Sequence, residues 1–359
     1  MKEFSDIIKS YDNIDKSSVR LAMATVIDVK GSSYRRTGAR MLIQDNGIWT
    51  GGISGGCIEG DALKKANLAI SGAKAIKVTY DTSKENEEQI GVSLGCSGII
   101  DVLISPIDPK DNNNQVEQLR NCIKSREPKV LVTVLESEDS ELSSGKVYCY
   151  SKDEEVEHYF GKISSKIILQ NIKEILKNEK TEIKELETHK LLFEFVPPTL
   201  QVIIMGGNYD VYPLLKVVHN LGWQSIVVAN PRRLAKNIHR LADEVDADFD
   251  NISIDKYTVG ILMSHDFNAD LKNLREALKS SLSYIGLLGP AIRKSDLLKD
   301  LQFEVSEEDK ERIFGPVGLD IGASQPEEIA ISIVSEILTV MRHRPGSSLR
   351  SRQGPIYNR

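Results

Sequence analysis

Gln201-Val202-Ile203-Ile204-Met205-Gly206-Gly207-Asn208-Tyr209-Asp210 sets the architecture of the second half of the chain. The short apolar run Gln201–Met205, with four apolar residues after Gln201, suits a strand buried on both faces, as in a parallel sheet. The glycine pair turns the backbone, and Tyr209–Leu221 then has helical spacing. The same rhythm repeats downstream. Ser225–Ala229 reads as a strand, Arg232–Leu241 as a helix, Thr258–Ser264 as a strand, Asn268–Ser280 as a helix and Tyr284–Leu288 as a strand. A last helix is expected over Gln325–His343, with Pro326, Glu327 and Glu328 in its first turn, where Pro and acids suit the free amides and the dipole. Strands alternating with helices predict a doubly wound parallel sheet.

Upstream of this stretch Pro197-Pro198 stiffens the backbone and disfavours helix, so the domain boundary is placed there. The expected division is a mixed α+β domain over 1–196, the doubly wound domain over 197–345 and an Arg-rich tail over 346–359. In the first part a short amphipathic helix is expected at 2–12. Strands are expected at Val19–Val29, Ala39–Gln44, Ile48–Thr50, Lys74–Tyr80 and Ile99–Ser105, with a helix at Glu59–Ser71. Asn46-Gly47 marks a hairpin. Val130–Leu135 and Lys146–Tyr150 read as an antiparallel pair, Ile163–Leu176 as a helix and Leu191–Val196 as a strand.

The chain has 359 residues, enough for two domains with cores of their own. Its 46 Lys and Arg against 52 Asp and Glu give a net charge of −6, which argues against nucleic acid as a partner. No apolar run is long enough for a membrane span, and the start lacks the apolar core of a signal peptide, so a cytoplasmic location is expected. The four cysteines, Cys57, Cys96, Cys122 and Cys149, form no CxxC pair and no disulfide framework. Cys122 and Cys149 fall in a helix and a strand and read as packing residues.

Chemistry concentrates in Gly51-Gly52-Ile53-Ser54-Gly55-Gly56-Cys57-Ile58-Glu59. Its amides and the following helix N-terminus are expected to cradle an anion such as a phosphate. Cys57 stands just before that helix, where a thiolate is favoured as nucleophile, soft metal ligand or sulfur carrier. A tight turn with a small buried cysteine is the plainer alternative. Cys96, also flanked by glycines in Leu94-Gly95-Cys96-Ser97-Gly98, is the second thiol candidate: it reads either as a small core residue or as sharing a metal or redox site with Cys57 if the two loops meet. Gly206, Gly207, Asn208 and Asp210 stand where a dinucleotide fingerprint would, but Asn208 and Val211 replace two of its glycines and Ala229 its ribose-binding acid. NAD(P) binding is correspondingly weakened, and Asp210 reads either as a ligand contact or as a helix-start acid. His265 and Asp266, at the end of a sheet strand, read as an acid–base pair or as the cap of the next helix.

These motifs resemble the xanthine dehydrogenase accessory protein family, XdhC/CoxI. The likeness runs through Gly31-Ser32-Ser33-Tyr34, Gly38-Ala39-Arg40-Met41, the 51–59 loop and Leu94-Gly95-Cys96-Ser97-Gly98. It resumes at Leu221-Gly222-Trp223, Met263-Ser264-His265-Asp266, Tyr284-Ile285-Gly286-Leu287-Leu288-Gly289, Gly315-Pro316-Val317-Gly318-Leu319-Asp320-Ile321-Gly322-Ala323 and Pro326-Glu327-Glu328-Ile329-Ala330. The middle, about 110–196, diverges. The resemblance implies a Rossmann-like C-terminal domain. It also implies a cytoplasmic, homodimeric chaperone, not a turnover enzyme, that binds the molybdenum cofactor (molybdopterin) and protects it during sulfuration. Delivery would be to an apo molybdenum hydroxylase of the xanthine dehydrogenase type, with a cysteine desulfurase as a further partner. The cofactor residues it implies are Arg40, Gly51, Gly52, Ser54, Gly55, Gly56, Cys57, Glu59 and Cys96. The family often carries Gly-Ala-Gly where this chain has Gly206-Gly207-Asn208, and Asp where it has Ala229. The alternatives are an NAD(P)-dependent oxidoreductase on the second domain and a thiol-redox or metal-binding protein on Cys57 and Cys96.

Overall fold

The computed structural model describes residues 1–81, 98–152, 154–353 and 356. The chain divides into two units, Met1–Pro198 and Thr199–Arg359. The first opens with α1 (Lys2–Asn13), β1 (Leu21–Gly31), β2 (Arg40–Gln44), β3 (Trp49–Gly51), α2 (Glu59–Gly72), β4 (Ile76–Asp81) and β5 (Gly98–Ile107). It continues with α3 (Gln115–Ile123), β6 (Lys129–Ser137), β7 (Val147–Tyr150), α4 (Ser165–Asn178), β8 (Glu182–Leu186) and β9 (His189–Val196).

Two antiparallel sheets result, ordered β3-β2-β1-β5-β4 and β7-β6-β9-β8. Ala62, Ala66 and Ala69 recur one helical turn apart on α2 and pack against Ala22, Ala24, Met41 and Ile43 of the first sheet. Where the helix alanines meet Ala22 and Ala24 of β1, small side chains on both sides bring this helix close to the sheet. Phe4, Ile7, Ile8 and Tyr11 of α1 pack with Leu119 and Cys122 of α3 on residues from both sheets, Met23 and Leu131 among them. Ile168, Ile172 and Ile175 of α4 cover the far face of the second sheet.

The second unit runs β10 (Gln201–Met205), α5 (Val211–Asn220), β11 (Gln224–Val228), α6 (Lys236–Leu241), β12 (Glu244–Asp246), β13 (Thr258–Leu262), α7 (Phe267–Lys279), β14 (Ile285–Leu287), α8 (Ala291–Lys299), α9 (Glu307–Glu311), β15 (Ile313–Phe314) and α10 (Pro326–Met341). All neighbouring strands are parallel, in the order β12-β11-β10-β13-β14-β15. Counted within the unit this is 3-2-1-4-5-6, the doubly wound Rossmann order, with its switch point between β10 and β13. One core packs α5 and α10 on one face of the sheet, and a second packs α7 and α8 on the other.

Several boundaries differ from the sequence reading by one to four residues, and two have a visible local cause. The helix expected from Arg232 starts at Lys236, because Asn230 Oδ1 accepts the Arg232 N–H at 3.0 Å and holds a turn through Pro231. The last helix stops at Met341, and His343 follows in the left-handed region at φ 50°. No helix among the described residues is long and apolar enough to cross a membrane.

Candidate functional site

The 51–58 loop leaves the edge strand β3 and enters α2. Gly51 ends β3, and the Gly52 N–H donates to the Arg40 carbonyl at 3.0 Å, which roots the loop on β2. Cys57 is exposed, whereas Cys122 and Cys149 are buried. Burial, with a hydrogen bond to Cys149, pushes the Cys122 thiol well above its ordinary range. Among the described residues the structure therefore separates one accessible cysteine sulfur from a buried pair. Gly55 lies against the ring of Tyr34, which is itself 69% exposed. An accessible thiol and an accessible aromatic face thus flank the same glycine turn. Gly56 sits in the left-handed region at φ 110° with open space around it.

The anion cradle expected of this loop is already filled from within. Glu59, 6% exposed, accepts the Ser54 N–H on one carboxylate oxygen at 2.8 Å. Its other oxygen accepts the Ser54 hydroxyl at 2.6 Å and the Ile58 N–H at 3.2 Å. Ser54 Oγ in turn accepts the N–H groups of Gly56 and Cys57, each at 3.1 Å. Amides that would face a phosphate in an open nest face Ser54 and Glu59 instead.

Arg40 is also drawn away from ligand duty. Its guanidinium is 2% exposed and bonded to both Glu194 oxygens, at 3.0 and 2.5 Å, and to the Gly38 carbonyl at 2.6 Å. The motif that carries Arg40 therefore ties β2 to β9. Cys96 and the loop around it lie outside the described residues. Among the described residues, no group of three or more His, Cys, Asp or Glu side chains could hold a metal ion.

The second glycine turn serves packing. A Cβ on Gly206 would stand 2.5 Å from the Met263 carbonyl oxygen, so the close approach of the β10 and β13 turns requires glycine there. A Cβ on Gly207 would collide with the Leu234 side chain. Asn208 donates from its amide to the Ser264 carbonyl at 2.8 Å, bridging the same two turns. His265 and Asp266 do not work as a pair. Asp266 caps α7, accepting the Ala269 N–H at 2.7 Å. His265, in the left-handed region at φ 59°, reaches across the switch point to Asp210 at 2.6 Å. The second Asp210 oxygen is buried without a partner among the described residues.

Three contributors escape a reading of the sequence. Tyr34 belongs to a matching motif, but nothing in its spacing assigns it a chemical role. Glu194 gives no signal, because its partner Arg40 is remote in sequence. Asp270, 2% exposed, accepts the Ser264 hydroxyl at 2.5 Å and pairs with Arg293 at 2.7 Å beneath the β13 turn. Its i+4 spacing from Asp266 looks like ordinary helix-start acidity.

The fold and the loop together define a class: a two-unit α/β protein with a thiol-bearing glycine turn in one unit and a Rossmann sheet in the other. Comparison with known families agrees with both halves. Residues 15–81 match the model described as "XdhC and CoxI family", and residues 202–337 match "XdhC Rossmann domain". The chain belongs to the XdhC and CoxI family. It is similar to a protein of Bacillus subtilis (strain 168) named as a probable xanthine dehydrogenase subunit, 27% identical over 88% of this chain and 92% of that one. It is also similar to the molybdenum cofactor insertion chaperone PaoD of Escherichia coli (strain K12), 21% identical over 91% of this chain and 85% of that one. A crystal structure of a xanthine dehydrogenase from Bacillus halodurans superposes with a TM-score of 0.75 and 29% identity, covering 96% of this chain and 99% of that chain.

Proposed function

We propose that this chain is an accessory protein that holds the molybdenum cofactor at the Cys57 turn. It shields the cofactor while sulfuration is completed, a cysteine desulfurase being the sulfur source. It then hands the cofactor to a molybdenum hydroxylase of the xanthine dehydrogenase type. One observation carries the reading. The exposed cysteine lies on the glycine turn inside the stretch that matches the XdhC and CoxI model. Related chains of nearly the same length are named for xanthine dehydrogenase and for molybdenum cofactor insertion.

The donor set fits the metal end of the group. A thiol beside a helix N-terminus is a soft donor, suited to a metal centre or to exchange of sulfur. The Tyr34 face, against Gly55, suits a planar ring. When bound, the cofactor supplies a metal–dithiolene centre. The chain itself supplies Cys57 as the holding group, Tyr34 as a stacking face and the packed α2 as a rigid base.

The test is retention. Purified chain incubated with molybdenum cofactor under reducing, anaerobic conditions is expected to co-elute with it in stoichiometric amount. Cys57→Ala is expected to reduce retention by at least about tenfold, the loss of one metal-ligand-class contact. Absence of retention by the parent would sink the proposal.

A further inference from the structure

We infer that Ser54 and Glu59 are positioning residues for Cys57, and that the Glu59 carboxylate is the resident anion of the turn, so that the turn meets its ligand through sulfur and turns free phosphate away. The inference deepens the cofactor-holding reading and rests on it for the identity of the ligand. The network itself stands on geometry alone.

A serine hydroxyl has one hydrogen to give and two lone pairs with which to accept. Ser54 gives its hydrogen to Glu59 Oε2 at 2.6 Å. Its lone pairs are then oriented toward the Gly56 and Cys57 amides, each 3.1 Å away. Ile58 completes the set by donating to Glu59 Oε2 at 3.2 Å. One buried carboxylate therefore organises four amides, Ser54 and Ile58 directly and Gly56 and Cys57 through Ser54, with the Ile58 N–H also shared with Ser54 Oγ at 3.4 Å. The Cys57 backbone is fixed from its own N–H, while the side chain beyond it remains exposed.

Charge leads to the same conclusion. Glu59 is the first residue of the 14-residue α2, where the helix dipole favours a negative group. In phosphate-binding turns that place belongs to the ligand, and the amides point outward to it. Here the place is taken by a side chain of the helix itself. A phosphate approaching the turn would meet a carboxylate of like charge, and donors whose acceptors are already bonded. A thiol-reactive or metal-bearing ligand needs none of those amides.

The experiment uses the full chain without any cofactor. The rate at which iodoacetamide alkylates Cys57 is followed by mass spectrometry of the Cys57 peptide, with and without inorganic phosphate at constant ionic strength. The parent rate is expected to be insensitive to phosphate. In Glu59→Ala, which leaves the Ser54 and Ile58 amides without their acceptor, and in the nearly isosteric Glu59→Gln, which removes the like charge and one acceptor oxygen, phosphate is expected to slow alkylation several-fold. Ser54→Ala is expected to shift the alkylation rate while leaving it insensitive to phosphate, and Ser54→Thr, which keeps the hydroxyl, to restore the parent rate.

A parent rate slowed by phosphate as strongly as the variants would overturn the inference, as would Glu59 variants that gain no sensitivity. Circular dichroism identifies any variant that fails to fold. If Glu59→Ala is lost, Glu59→Gln carries the phosphate arm. If both are lost, parent insensitivity together with the Ser54→Ala and Ser54→Thr rates supports the inference, and a Ser54→Ala rate equal to the parent's overturns it. Failure of cofactor retention would leave all these rates unchanged, so the two proposals fail separately.

Discussion

The two glycine turns of this molecule begin alike and end differently. Each leaves a strand, passes through glycines and enters a helix with a carboxylate at its start. In the first, Glu59 folds back on the amides of its own turn and leaves Cys57 at the surface. In the second, Asp210 reaches sideways to His265 on the neighbouring turn, and Gly206 lets the two turns touch. The first turn is closed locally and presents a side chain. The second is closed by a neighbour and presents a seam. A glycine turn before a helix therefore does not by itself specify a phosphate site. The acceptor that takes the amides decides what the turn can bind.

The largest effect that could break this contrast lies at the root of the first turn. Glu194→Ala would leave the Arg40 guanidinium buried without its ion partner, and a loss of about 3–5 kcal/mol is expected. Each unit contains one of the two tryptophans, Trp49 and Trp223, so urea unfolding in single-tryptophan backgrounds reports each unit separately. The loss should register at Trp49. An unchanged midpoint there would mean that Arg40 is free to serve a ligand. Next, Gly206→Ala places a methyl 2.5 Å from a backbone carbonyl oxygen, and about 3 kcal/mol should be lost at Trp223.

Gly56→Ala sharpens the comparison. It carries a left-handed φ of 110° but has nothing within 4 Å, so only backbone strain of about 1 kcal/mol is expected, again read at Trp49. A cost equal to that of Gly206→Ala would show that the first turn, too, is held by close packing. The smallest effect belongs to His265→Ala. The His265 side chain is 56% exposed, so its pair with Asp210 is screened and its loss should cost under about 1 kcal/mol in the same assay.

Much of the second unit is legible in the sequence, because buried parallel strands and their helices repeat a strong pattern, as Gln201–Met205 and Thr258–Leu262 show. Short or charged elements are not. β8 reads Glu182-Ile183-Lys184-Glu185-Leu186, an edge strand with little apolar signal, and β12 and β15 are three and two residues long. α8, with Ala291, Arg293, Lys294, Ser295 and Asp296, has one buried residue, Leu297, and so lacks an apolar stripe. At the candidate site the sequence points to the turn and to Cys57, but not to the direction of its amides. That direction depends on Ser54 and Glu59 choosing each other over a ligand, a choice that spacing does not encode. The partner of Arg40 is hidden for a related reason. A long-range ion pair leaves no periodic trace in the chain, and Glu194 sits between Leu191-Leu192-Phe193 and Phe195-Val196, a run that reads simply as a strand.

The four-stranded sheet of the first unit falls entirely between the two family matches, in residues 82–201. One face carries a core of its own, built on α4 with β6 and β9, and the other face shares its core with the first sheet. Among its charged side chains, Glu194 is the one bonded to Arg40. Glu194 shares a strand face with Leu192 and Val196, opposite Leu191 and Phe193 of the α4 core, so a change in that core reaches the Cys57 turn only through the sheet itself.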